Sequence, residues 1–225
     1  MVLSVNNLKK SYRAPDGETS MVVDVASFAM ESGAQVALRG SSGSGKTTFL
    51  NLVAGILQAD SGEVILCGKA LHQLNESNRD QLRARSIGYV FQTFNLLQGY
   101  TAVENVLLGM LFGPGADRAY AEALLERVGL ADRMHYRPRQ LSVGQQQRVA
   151  VARALANHPD LVLADEPTGN LDRHHAGESL ALIREICKEN EAALLLVSHD
   201  DTVLEQFDTC QDFDDINHAM REVAS

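Results

Sequence analysis

The stretch GSSGSGKTT, residues 40–48, has residue types and spacing suited to holding phosphate groups. It fits the pattern G-x-x-x-x-G-K-[ST], in which glycines let successive backbone N–H groups point at phosphate oxygens. A short apolar run precedes the stretch and an amphipathic segment follows it, as expected for a cradle between a strand and the N-terminus of a helix. A glycine- and serine-rich solvent loop could match the pattern by chance, but these flanking segments favour the cradle.

In such a cradle the lysine and the hydroxyl that follows it have separate tasks. We expect Lys46 to reach the outer phosphates and the Thr47 hydroxyl to hold the magnesium ion that neutralises them. The nucleotide-binding residues predicted from this stretch are Gly40, Ser41, Ser42, Gly43, Ser44, Gly45, Lys46, Thr47 and Thr48.

A pair of adjacent carboxylates, Asp165 and Glu166, ends the apolar run at residues 161–164. Side chains alternate along a strand, so the two carboxylates point in different directions and can have different roles. We expect Asp165 to bind the magnesium ion and Glu166 to act as the general base that polarises an attacking water. The pair could also be an exposed acidic strand end, but a neighbouring cradle that needs a metal favours hydrolysis.

Three further motifs follow the glycine-rich stretch in the sequence: YVFQ at 89–92, LSVGQ at 141–145 and VSHD at 197–200. Together with the cradle and the acidic pair, they resemble the nucleotide-binding subunits of ATP-binding cassette (ABC) transporters over about residues 2–200. The resemblance implies an ATPase with ATP and Mg²⁺ as cofactors, in which Lys46 and Glu166 are catalytic.

The resemblance also implies roles for residues that carry little signal alone. Gln92 would contact magnesium and the attacking water, and His199 would touch the outer phosphate; both are counted as catalytic, and Gln92 also as a metal ligand. Asp172 ends the loop after the acidic pair and would contact nucleotide. Tyr12 would stack on the adenine, although a tyrosine here could equally fill the edge of the strand core.

The LSVGQ motif implies a homodimer that sandwiches two ATP molecules. In the family, Ser142, Gly144 and Gln145 would meet the phosphates bound by the opposite copy, again through a helix N-terminus facing an anion. Read alone, the motif is only a helix start with Ser142 as N-cap. Val143 replaces the first of the two glycines usual in the family, and its β-branched side chain requires an extended or helical backbone.

The run LADEPTGNLD, residues 163–172, with the cradle, resembles the branch that serves lipoprotein release, macrolide-type export and cell division. Such a subunit partners a transmembrane permease, which would dock near residues 94–100, although this apolar stretch could instead be lobe core. The alternatives are a soluble ABC ATPase in DNA repair or translation, a non-transport cell-division ATPase, or a nucleotide-sensing module without turnover. Glu166 argues against the last of these.

Composition limits the partners and the location of the chain. It has 225 residues and a net charge of −9, with no cluster of basic residues, so no nucleic-acid partner is expected. Neither a secretory signal nor an apolar run of bilayer length is present in the sequence, so we expect no direct membrane insertion. The predicted location is cytoplasmic, peripheral on the inner face of the cell membrane through the permease.

These motifs must be positioned by a regular framework of strands and helices. Short apolar runs predict strands at residues 2–5, 22–28, 35–39, 63–67, 87–91, 161–164 and 194–197. Helices are expected after residue 48 and at about residues 101–110, 117–128, 145–156 and 176–189. Apolar strands that alternate with helices imply a buried parallel sheet. With the resemblance, this predicts an α/β P-loop NTPase with a mostly parallel core sheet, an N-terminal antiparallel β subdomain and a helical signature lobe. We expect residues 1–225 to form a single ABC ATPase domain, with the lobe inserted at about 93–140.

Overall fold

The structure is a computed structural model that describes residues 1–219 except Asp16, Pro114 and Asp172, and the side chains of residues 173–175 are likewise not described. The predicted nucleotide-binding residue Asp172 therefore lies outside the described residues.

Strands and helices alternate along most of the chain. The strands of the described part are β1 (Leu3–Arg13), β2 (Thr19–Met30), β3 (Gln35–Arg39), β4 (Ser61–Leu66), β5 (Lys69–Ala70), β6 (Ile87–Val90), β7 (Leu161–Asp165), β8 (Ala193–Ser198) and β9 (Thr209–Asp212). The α-helices are α1 (Lys46–Val53), α2 (Glu76–Ser86), α3 (Ala102–Met110), α4 (Arg118–Arg127), α5 (Val143–Leu155), α6 (Arg173–Glu189), α7 (Asp201–Leu204) and α8 (Phe213–Ile216).

The strands form two sheets of different kinds. The first is antiparallel, with strand order β2-β1-β4-β5, and it comes from the N-terminal part of the chain. The second is entirely parallel, with order β6-β7-β8-β3-β9. The predicted combination of a parallel core sheet and an N-terminal antiparallel sheet is confirmed.

The parallel sheet is buried on both faces, which explains why β7 and β8 are continuous apolar runs. Leu194 and Leu196 of β8 pack with α3, α4, α5 and α6 on one side. Leu195 and Val197, which alternate with them, pack with α1 and the antiparallel sheet on the other side. The parallel sheet is therefore the middle layer, and its carboxyl ends carry the loops that hold the predicted site residues.

Helices α3 and α4 pack against α5 and form the helical region that the sequence predicts. Thr101 and Glu104 make a capping box at the start of α3. The side chain of buried Asn105 holds the preceding loop, because it accepts from the Leu97 amide and donates to the carbonyls of Leu97, Tyr100 and Thr101. This network fixes the loop that connects β6 to the helices.

Three parts of the fold were absent from the sequence prediction: the short strand β5, helix α2, and the segment after His199 that contains α7, β9 and α8. Strand β9 extends the parallel sheet by pairing with β3. Helix α5 begins at Val143, two residues before the predicted start, and the helical backbone there is one of the two conformations expected for that residue.

Within the described residues, none of the helices has the length and apolar character needed to span a lipid bilayer.

Candidate functional site

The glycine-rich loop connects β3 to α1 at the carboxyl edge of the parallel sheet. Gly43 and Gly45 have φ values of 84° and 97°, a region that side chains other than glycine rarely adopt. At Gly45 a Cβ atom would also lie only 2.5 Å from the carbonyl oxygen of Val22 on β2. Gly45 is therefore required both by its own backbone conformation and by the close approach of the neighbouring strand.

Lys46 is buried at the first turn of α1. Its Nζ donates to the carbonyl oxygens of Gly40 and Ser41, both at 2.7 Å, and lies 4.0 Å from Oε1 of Glu166. Burial lowers the pKa of the Lys46 ammonium, while the nearby carboxylates of Glu166, Asp165 and Asp214 oppose this shift. The ammonium thus lies on the inner side of the loop, next to the predicted base.

Asp165 and Glu166 line the same cavity but contact different partners, and since β7 ends at Asp165 the strand alternation expected from the sequence does not extend to Glu166. Oδ1 of Asp165 accepts a hydrogen bond from Thr47 Oγ1 at 3.2 Å, and burial raises the pKa of the Asp165 carboxyl. Oε1 of Glu166 lies 2.9 Å from Nδ1 of His199, which follows β8. Glu166 has a φ of 43°, a sparsely populated conformation for a residue with a side chain. The structure therefore brings Thr47 to one carboxylate and His199 to the other.

A cavity of about 270 Å³ lies between the glycine-rich loop and the two carboxylates, and His199 is not among its lining residues. Gln92, which follows β6, lines the cavity, and its own carbonyl accepts a hydrogen bond from Nδ2 of Asn170 at 2.6 Å. Asn170 was not singled out from the sequence, where an asparagine in a polar loop gives no signal of its own. The residues lining the cavity are Val22, Ser42, Gly43, Gly45, Lys46, Thr47, Thr48, Gln92, Asp165 and Glu166.

The cavity wall has the donor groups that magnesium and phosphate need. Thr47 and Asp165 present a hydroxyl and a carboxylate oxygen side by side, and such hard oxygen ligands are those that Mg²⁺ prefers. The hydroxyl of Ser44, within the loop, is buried and has no hydrogen-bond partner in the protein. Ser44 is not among the residues that line the cavity, so the fit to phosphate rests on Gly43, Gly45 and Lys46, which do line it.

Ser142, Gly144 and Gln145 lie at the exposed N-terminus of α5 and are not part of this cavity wall. Ser142 Oγ accepts from the Gln145 amide at 3.3 Å, and Gln145 Oε1 accepts from the Ser142 amide at 3.0 Å. A Cβ atom at Gly144 would meet no heavy atom within 4 Å, so the approach to this helix start is open. Within one chain, the signature residues do not join the cradle.

Tyr12 also lies apart from the cavity wall. It is on β1, opposite Ser20 of β2, and its side chain is exposed. Nζ of Lys10 is 5.8 Å from the centre of its ring. Tyr12 is therefore a surface aromatic rather than a filler of the strand core.

The predicted docking stretch at residues 94–100 is divided between core and surface. Phe94 and Leu96 are buried in the core formed with α3 and α5, whereas Leu97 and Tyr100 are about half exposed. The core alternative therefore describes Phe94 and Leu96, whereas docking of a permease at the exposed part of this stretch stays a prediction.

Comparison with known proteins identifies the family. A family model described as ABC transporter matches residues 23–169. The lipoprotein-releasing system ATP-binding protein LolD of Pseudomonas syringae pv. tomato is 46% identical over 211 residues, covering 92% of each chain. LolD 2 of Rhodopirellula baltica is 40% identical over 221 residues, covering 93% of this chain and 86% of that protein.

A solved structure of the ATP-binding cassette MJ0796, described as dimeric, in a post-hydrolysis state and bound to ADP and Pi, superimposes with a TM-score of 0.81. It is 35% identical and covers 89% of both chains. The P-loop NTPase fold class predicted from the sequence is thereby confirmed. Since the family model covers more than half of the sequence and the relatives span nearly all of it, this chain belongs to the ABC transporter family, as an ATP-binding subunit that hydrolyses ATP.

Proposed function

We propose that this chain powers a lipoprotein-releasing ABC transporter, as a homodimer that binds two ATP molecules with Mg²⁺ and drives a separate permease from the cytoplasmic face of the membrane. The convergence of Lys46, Thr47, Asp165 and Glu166 on one cavity carries the hydrolytic part of the proposal. The choice of lipoprotein release rests on relatives of that name, 46% identical across most of both chains.

In the proposed reaction, the loop amides and Lys46 hold the phosphates and Glu166 takes a proton from the attacking water. The contact of His199 with the Glu166 carboxylate supports a role for His199 beside the same water and the outer phosphate. Thr47, Asp165 and Gln92 would hold Mg²⁺, which neutralises phosphate charge when bound. The positive φ of Glu166 supports a functional position, since such strain is commonly kept at active sites.

The open N-terminus of α5 supports the dimeric part of the proposal. Ser142 and Gly144 lie at an exposed helix start with unobstructed access, where N–H groups can receive an anion. Because these residues are not in the wall of their own chain's cavity, the anion that they meet would be bound by a second copy.

A larger cavity of about 1130 Å³ is the surface that we assign to the permease. It lies between α2, β6, the C-terminal end of α3 and α5, and its wall includes Phe91, the residue before Gln92. Phe112, in its wall, is 78% exposed, and neighbouring Leu111 is 57% exposed. Large exposed apolar side chains beside a groove are typical of protein-binding sites.

Phe112→Asp is expected to abolish co-purification of the permease, because it places a charge in the apolar part of the groove. The measurement is affinity purification of the tagged chain from detergent-solubilised membranes, followed by mass spectrometry. Ile56→Asp is the matched control, since Ile56 is 48% exposed but lies outside the groove wall. Undiminished recovery of the permease with Phe112→Asp would contradict the assigned docking surface.

Lys46→Ala is expected to weaken ATP binding by about tenfold or more, because a buried charge-assisted contact to phosphate is lost. Isothermal titration calorimetry with Mg-ATP measures the change directly. Lys69→Ala serves as the control, since Lys69 lies on the exposed strand β5. Unchanged affinity of the Lys46 variant would exclude the assigned cradle.

A further inference from the structure

The glycine-rich loop at residues 40–48, hereafter the phosphate loop, is contacted by residues 213–219, the C-terminal segment of the described chain. The aromatic ring of Phe213 packs against Phe49 of α1, with ring centres 5.4 Å apart. A Cβ atom at Gly40, the first residue of the loop, would lie 3.3 Å from Cβ of Phe213. The segment therefore contacts the loop at its beginning and the helix that the loop leads into.

Asn217 of this segment contacts the other end of the loop. Its side chain is 1% exposed, and its Nδ2 donates to the carbonyl oxygen of Ser44 at 3.0 Å. The same Nδ2 donates to the Val22 carbonyl at 3.0 Å, while Oδ1 accepts from the amides of Asp24 at 2.7 Å and Ala219 at 3.4 Å. The side chain thus joins the loop to β2 and to its own segment.

These four hydrogen bonds fix the orientation of the amide group. An asparagine side chain has two N–H donors and one oxygen with two lone pairs, and all of them are used here. Rotating the amide by half a turn would place its oxygen against two carbonyls and its NH₂ against two N–H groups. Only one orientation is therefore compatible with the surroundings, and it directs a donor at Ser44.

Holding the Ser44 carbonyl has a consequence for the next residue. The Ser44–Gly45 peptide bond is trans, so the Ser44 carbonyl and the Gly45 N–H share one plane and point in opposite directions. Asn217 holds the carbonyl on the side away from the cavity, and Gly45 lines the cavity. The Gly45 N–H is thereby directed at the position of the phosphates.

We infer that Asn217 is a positioning residue for nucleotide binding, which orients the Gly45 amide of the phosphate loop through the Ser44 carbonyl. The inference rests on ATP binding at this loop and adds a residue that the family motifs do not include. Without the Asn217 donor, the peptide plane can rotate and the loop loses one preset contact to phosphate. A bare loop with a glycine at its end has little resistance to such rotation.

Asn217→Ala is the first test, with the dissociation constant for Mg-ATP measured by calorimetry well below the melting temperature of the nucleotide-free protein. Removing a buried donor from two carbonyls is expected to raise this constant about tenfold. Asp215→Asn, an exposed position of the same short helix, should leave it unchanged. A purely structural role for Asn217 would lower the melting temperature and leave ATP affinity intact, and that result would overturn the inference.

Asn217→Asp is the second test and decides the matter if the alanine variant fails to fold. Aspartate keeps the shape and the oxygen that accepts from Asp24, but its carboxylate cannot donate to Ser44. Because this position is buried, salt would screen the added charge only weakly, so Asn217→Leu, which has a similar shape but neither charge nor donor, is measured beside it. Native ATP affinity in either variant overturns the inference, while absent ATP binding by the native protein would instead refute the cradle itself.

Discussion

Glu166→Gln is expected to slow ATP hydrolysis by about 10²–10⁴-fold, the range for loss of a general base, while Mg-ATP binding is retained. Glutamine has nearly the shape of glutamate and can still accept a hydrogen bond from His199, but its amide cannot take a proton from water. Since the outermost phosphate is then not removed, the nucleotide-bound dimer should accumulate.

The geometry around Glu166 explains why this variant should affect chemistry rather than folding. The carboxylate contacts the His199 ring at 2.9 Å and lies 4.0 Å from the ammonium of Lys46, which lines the cavity. The backbone conformation is held separately, by the hydrogen bonds of the Glu166 amide to the Val197 carbonyl and of the Gly169 amide to the Glu166 carbonyl. Glutamine leaves these backbone bonds in place.

Phosphate release from ATP and size-exclusion chromatography with Mg-ATP are the two measurements for this variant. Glu126→Gln, on the exposed face of α4, is the matched control and should hydrolyse ATP at the native rate. Native hydrolysis by Glu166→Gln would exclude Glu166 as the base, and the proton would then have to reach another group of the cavity.

The sequence predicts those parts of the site whose residues lie close together along the chain. The loop at residues 40–48 and the carboxylates after β7 are recognisable because strand, turn and helix follow one another directly in the chain. Parallel strands have their carboxyl ends at one edge of the sheet, so motifs after β3, β6, β7 and β8 necessarily gather there. The contacts between Thr47 and Asp165 and between Glu166 and His199 follow from that topology.

Helix α2 was not predicted from the sequence because it has almost no apolar face. Only Leu82 and Ser86 of its residues are buried, so helical periodicity is absent. The available signal was polar: Asn75 accepts from the Asn78 amide as an N-cap, and Arg83 and Arg85 lie in the last turn. Capping residues without an apolar stripe do not distinguish a helix from a loop.

Asn217 could not be identified from the sequence for a different reason. Its partners Val22 and Ser44 lie 195 and 173 residues earlier in the chain, and the residues around it are acidic and polar. An asparagine in such a tail is typical of exposed surface. Only the three-dimensional arrangement, in which the tail returns to the phosphate loop, reveals a buried and fully bonded side chain.

Ser142→Arg, made together with Glu166→Gln, is expected to bind Mg-ATP as a monomer and to lose the ATP-dependent dimer entirely. The side chain of Ser142 caps α5 at an exposed surface, and arginine there would fill the space that the phosphates of a second copy would occupy. Multi-angle light scattering with Mg-ATP measures the mass of the particle, and calorimetry measures nucleotide binding in the same sample.

Loss of the cap must be separated from loss of the interface, because serine at this position also stabilises the helix, by about 1 kcal/mol. Ser142→Asp separates them: aspartate is an equally good N-cap, but its negative charge would face the phosphates of the opposite copy. Thr101→Arg removes the corresponding cap from the start of a different helix, α3, and should leave dimerisation intact. If Ser142→Asp and Thr101→Arg both dimerise normally, the exposed start of α5 does not meet the nucleotide of a second copy, and hydrolysis would have to be completed within one chain.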